Sequence, residues 1–98
     1  MTSKQRAYLK GLAMNLNPIM NVGKDSLTPG ITEAVIEAIE ANELIKIGVL
    51  KNCMDDPKEL ASILSDRSHS EVVQVIGKKI VLYKPAKKPE DRKIFLPK

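Results

Sequence analysis

The chain has 98 residues, of which 43% are hydrophobic, with a net charge of +4 and a single cysteine. That length fits a single domain, with one core as the expectation and little room for a second domain, and a lone Cys53 excludes an internal disulfide. No apolar run approaches the roughly 20 residues of a spanning helix, and the opening stretch MTSKQRAYLKGLAMNLNP lacks the pattern of a secretory leader, so no membrane role and a cytoplasmic location are expected.

Residues 3–14 read as a helix capped by Thr2 or Ser3. Tyr8, Leu9 and Leu12, with Leu16 if it runs on, form the apolar side, and Arg6 and Lys10 the outer one. Asn15, Asn17 and Pro18 end it, because Pro18 lacks a backbone donor and biases its predecessor toward extended geometry. Ile19, Met20 and Val22 make a short strand closed by Gly23. Ile31, Ala34, Val35, Ala38 and Ile39 then match the i, i+3, i+4, i+7, i+8 pattern of an amphipathic helix of roughly 12 residues, with Glu33, Glu37 and Glu40 facing away. Thr28 is its expected N-cap and Pro29 its first residue.

Leu44, Ile45, Ile47 and Val49 follow as a strand, and Lys46 and Gly48 on its other side predict a sheet face that is not fully covered. Asp56 caps the next helix, with Pro57 first in it and Glu59 placed to reach back to the cap; Leu60, Ile63 and Leu64 are its apolar stripe. Val72–Ile76 and Ile80–Tyr83 are strands joined through Gly77-Lys78-Lys79 as a hairpin. The order α-β-α-β-α-β-β predicts one α/β (α+β) domain over residues 1–98 with a mixed four-stranded sheet and three helices. A basic, proline-containing tail closes it at 86–98, where Ile94, Phe95 and Leu96 can dock on the body.

Charge is segregated along the chain. Residues 1–24 carry four basic side chains and no acid; residues 25–71 carry four against ten acids; residues 72–98 carry eight against two. If the two basic ends meet, they form one cationic face suited to a polyanion.

The segment VGKDSLTPG, residues 22–30, allows three readings. A nucleotide-binding P-loop needs G-x-x-x-x-G-K-[ST], which fails because Lys24 follows Gly23 at once. A plain strand-to-helix turn needs only Asp25 and Ser26 as turn residues and Thr28 as cap. A backbone clamp on RNA, as made by the short G-x-x-G loop of KH domains, uses free N–H groups at a helix start.

Three stretches carry a family resemblance: this loop with Leu27-Thr28 behind it, the strand ELIKI, and the hairpin QVIGKKIVLYK. Together they resemble the CRM domain (chloroplast RNA splicing and ribosome maturation), in particular its stand-alone bacterial YhbY-like form, over residues 3–98. The resemblance implies an RNA-binding α/β domain similar in topology to the C-terminal domain of a bacterial translation initiation factor, associated with precursors of the large ribosomal subunit; separately, a monomer is expected. The family's loop falls on Gly23, Lys24, Asp25 and Ser26, with Ser26 where the second glycine stands. Beside it, Thr28 and the cations Lys4, Arg6, Lys10, Lys78, Lys79, Lys84, Lys87 and Lys88 are the expected RNA contacts, sensitive to salt and nearly blind to sequence.

Nothing calls for catalysis, a cofactor or a metal. His69 stands alone and reads as a solvated loop residue, Cys53 as a small buried apolar one, Tyr83 as a packing residue, and Asp55 and Asp56 as capping groups. Two other classes fit the charge pattern: a protein-interaction adaptor with one basic and one acidic face, and a lipid-surface binder. The latter lacks an amphipathic helix in the basic tail.

Overall fold

The computed structural model describes all 98 residues. Its elements are α1 (Ser3–Ala13), β1 (Met20–Val22), α2 (Pro29–Asn42), β2 (Leu44–Val49), α3 (Pro57–Ser68), β3 (Glu71–Ile76), β4 (Lys79–Tyr83) and a 3-10 turn at Pro89–Asp91. The predicted element order is the observed one.

The strands form one sheet in the order β1-β2-β4-β3. β1 runs parallel to β2, and β4 is antiparallel to both β2 and β3, so the sheet is mixed as expected. The second helical crossover does not join neighbours: α3 carries the chain past a vacant position to the edge, and the hairpin returns β4 into it. A bulge between Val72 and Gln74, which the sequence does not announce, brings Val73 onto the same face as Gln74.

Two cores flank the sheet. Ile45, Ile47 and Val49 of β2 share the larger one with Val35 and Ile39 of α2 and Leu60 and Leu64 of α3, and Cys53 is buried there. The smaller one joins Leu9 and Ala13 of α1 to Leu44, Val73, Val81 and Tyr83. The face holding Lys46 is therefore covered by α1 at the Leu44 end and left to polar side chains at the other. There, a methyl group added at Gly48 would overlap the Asn21 amide.

Both flanking stripes depart from expectation. In α1 the buried positions are Leu9 and Ala13, with Leu16 packed beyond them, while Tyr8 and Leu12 lie partly in solvent. Continuing that stripe backward at helical spacing reaches Arg6, so this side chain faces the sheet and not the outer surface. In α3 the stripe is Leu60, Ala61 and Leu64; Ile63 is exposed, and the side chain of Asp56 caps the Lys58 N–H without a return bond from Glu59.

Candidate nucleic-acid interface

Because β1 and β2 are parallel neighbours, the loops that follow them emerge side by side, and the β3–β4 turn joins them at the same edge of the sheet. The Leu50 N–H donates to the Val22 carbonyl at 2.8 Å and the Val49 N–H to that of Lys78 at 2.8 Å. This loop edge thus collects Gly23, Lys24, Asp25, Ser26, Thr28, Lys78 and Lys79, together with the N-terminal, positive dipole ends of α2 and α3.

The Gly23–Ser26 segment is a tight turn closed by the Ser26 N–H donating to the Gly23 carbonyl at 2.9 Å. Ser26 has φ of 55°, the left-handed region that glycine occupies freely and other residues at a cost. Ser26 thus stands, where the resemblance places a glycine, in a conformation that glycine takes without strain. The serine hydroxyl donates to the Asp55 carboxylate in the β2–α3 loop, tying the two loops together. Thr28 caps α2 as expected, accepting from the Ile31 N–H at 3.1 Å. The backbone N–H groups of Lys24, Asp25 and Leu27 donate to nothing within the chain, which leaves three donors on a cationic loop beside a helix start.

Two more cations belong to this edge. Lys51 follows directly on Leu50, and Lys58 opens α3; both were counted within the acidic middle of the sequence, and only the parallel pairing of β1 with β2 reveals where they go. Asp25, Asp55 and Asp56 share the edge, so its field is mixed in sign and its lysines act as individual contacts.

The other predicted cations do not gather here. Lys84, Lys87 and Lys88 follow β4 and emerge at the opposite edge, roughly 17 Å away at a strand rise of about 3.3 Å per residue. Lys84 is paired there with Glu40 at 3.3 Å. Lys4 lies in the first turn of α1, at this same far edge, since neighbouring Gln5 donates to the Pro97 carbonyl at 3.0 Å. Lys10 is exposed in the last turn of α1. The Arg6 guanidinium donates to the carbonyls of Val72 at 2.6 Å and Val73 at 2.9 Å, at the bulge of the edge strand β3. Arg6 is therefore a clasp between α1 and β3, corrected from its expected place on the outer face. The expectation of one continuous cationic face is corrected with it: Lys24, Lys78 and Lys79 stand at one end of the sheet and Lys4, Lys84, Lys87 and Lys88 at the other.

The far edge is organised by a residue to which the sequence assigns no part beyond opening the ELIKI stretch. Glu43, 2% exposed and with φ of 63°, ends α2 and turns its carboxylate under the C-terminal tail. It accepts from the backbone N–H groups of Lys93, Ile94 (3.3 Å) and Ala86 (3.4 Å). Ile94 and Leu96 pack on the smaller core, as expected for a docked tail, while Phe95 stays 74% exposed. Burial raises the Tyr83 phenol above its ordinary 10.0, and the Glu43 carboxylate adds to that. His69 is an exposed C-cap of α3 in the left-handed region, with φ of 54°. No helix is long and apolar enough to cross a membrane.

A family model for the CRS1 / YhbY (CRM) domain matches residues 1–84. The chain belongs to the CRM family. Among similar CRM proteins is the probable RNA-binding protein YqeI of Bacillus subtilis, 43% identical over 97 residues, 99% of each chain. An RNA-binding protein of Haemophilus influenzae is 34% identical over 98 residues, covering 100% of this chain and 96% of its own. The solution structure of the hypothetical protein SAV1595 from Staphylococcus aureus superimposes with a TM-score of 0.81 at 43% identity, covering 99% of each chain. That agreement is with the three-helix, four-stranded CRM fold described above.

Proposed function

We propose that this protein binds RNA without catalysis, holding the phosphate backbone against the loop edge, and that its RNA lies in precursors of the large ribosomal subunit. The observation that carries the first part is the Gly23–Ser26 turn. Three backbone donors unused by the fold stand beside Lys24, Lys78 and Lys79 at the dipole-positive start of α2. Phosphate oxygens are the ligand chemistry that uses N–H donors and ammonium groups together. The RNA-binding names of the curated relatives support the same reading. The large-subunit assignment, and with it a cytoplasmic site of action, is supported by the family resemblance.

Crosslinking the protein to RNA in cells, separating ribosomal particles on a gradient and sequencing the attached RNA tests both parts. The expected result is crosslinks to large-subunit ribosomal RNA in particles lighter than the mature subunit. Crosslinks confined to messenger or small-subunit RNA contradict the assignment, and a protein free of RNA in all fractions contradicts the binding.

A further inference from the structure

The C-terminal tail and the first turn of α1 enclose a cavity of about 560 Å³ at the edge opposite the loop, within the range of about 300–1,000 Å³ typical of small-ligand sites. Its lining includes Gln5, His69, Glu71, Tyr83, Arg92 and Phe95. The groups there are spare. The Tyr83 hydroxyl makes no hydrogen bond within the chain although the residue is only 5% exposed, and no buried side-chain oxygen or nitrogen lacks a partner, so that hydroxyl opens into the cavity. Glu71 forms no ion pair, and Arg92 spends only its Nε–H, on the Ala86 carbonyl at 3.2 Å. Phe95, three-quarters exposed, offers a bare ring face on the wall.

The wall is also held in place. Glu43 fixes Lys93 and Ile94 by their backbone N–H groups, and Gln5 fixes Pro97, so the residues on either side of Phe95 are pinned while its ring is left free. The tail around it carries Lys87, Lys88, Arg92 and Lys93 against Glu90 and Asp91. An exposed ring, hydrogen-bonding groups of both kinds on a recessed floor and the Arg92 guanidinium in the lining, with further cations along the same tail, are the combination that receives an unpaired base of a single strand.

We propose that this cavity is a second RNA subsite, taking one unstacked nucleobase on Phe95 with its edge toward Tyr83 and Glu71 and its phosphates near Arg92. The inference rests on the RNA-binding reading of the loop edge and adds to it. Lys87 and Lys88, which the fold separates from Lys24, belong to the same tail as Arg92 and Phe95.

The chain has no tryptophan, so Phe95→Trp places a single reporter on the rim while keeping a stacking surface. Short single-stranded RNA is expected to quench its fluorescence, and a fully paired RNA duplex is not. Phe95→Ala, at an exposed position that folding does not need, is expected to lose at least about fivefold in affinity for the single strand and nothing for the duplex. Wild-type affinity of Phe95→Ala for the single strand, or an unquenched indole, overturns the subsite. If Lys24→Glu still weakens binding in that case, the loop edge keeps its role. Wild-type protein that binds neither RNA overturns both.

Discussion

The left-handed backbone at Ser26 yields a prediction whose size follows from the structure. An L side chain in that region costs roughly 1–2 kcal/mol, a cost glycine escapes, while glycine adds roughly 0.5–1 kcal/mol through the freedom of the unfolded chain. The hydroxyl bond from Ser26 to Asp55 contributes about 0.5–1.5 kcal/mol. Ser26→Ala keeps the backbone cost and loses that bond, so it is expected to be less stable by about 1 kcal/mol, or about 4–8 °C in melting temperature for a chain this long. Ser26→Gly loses the same bond but relieves the backbone, so it is expected to recover about 0.5–1 kcal/mol of that loss and lie close to the wild type. Thermal and urea unfolding of the three proteins measures both differences. Equal destabilisation of the alanine and glycine variants refutes the backbone part of the reasoning; wild-type stability of Ser26→Ala refutes the hydrogen-bond part.

Arg6→Met removes both donors to the bulged Val72 and Val73 carbonyls and is expected to cost about 1–3 kcal/mol in urea unfolding, with RNA affinity unchanged under conditions where the variant is folded. Glu43→Ala strips three tail N–H groups of their acceptor; a loss of hydrogen-exchange protection at Lys93 and Ile94 well beyond that at β4 is the expected readout. The raised phenol of Tyr83 implies that the fold favours its neutral form. Stability from this group is therefore complete below about pH 10 and declines as pH rises through that value, because the unfolded chain ionises first. Comparing unfolding midpoints of Tyr83→Phe and wild type from neutral to alkaline pH should show a shallower alkaline decline in the variant.

Local signals carried the elements. Proline at the first position of two helices, threonine and aspartate caps, alternation in β2 and a glycine-led turn placed seven elements in order, since each is set by its own few residues. Pairing was harder to read, because it depends on which strands become neighbours. The antiparallel run of β4 against β2 sends Lys84, Lys87 and Lys88 to the edge away from Lys24, and the parallel β1–β2 pair brings Lys51 and Lys58 toward it. Arg6 looked like a surface cation because the bulge that needs its guanidinium leaves no mark in the sequence. Glu43 was equally silent: what singles it out is a left-handed turn and a tail that returns over it from more than 40 residues away.

The slope of log affinity against log salt, measured with single-stranded RNA, tests the loop edge most directly. Each phosphate contact contributes about 0.7 to that slope for a single strand. Lys24→Gln combined with Lys78→Gln and Lys79→Gln is predicted to flatten it by about 2, while Glu37→Gln on the exposed face of α2 leaves it as in the wild type. A triple variant that keeps the wild-type slope and affinity would contradict the assignment of phosphate binding to this edge.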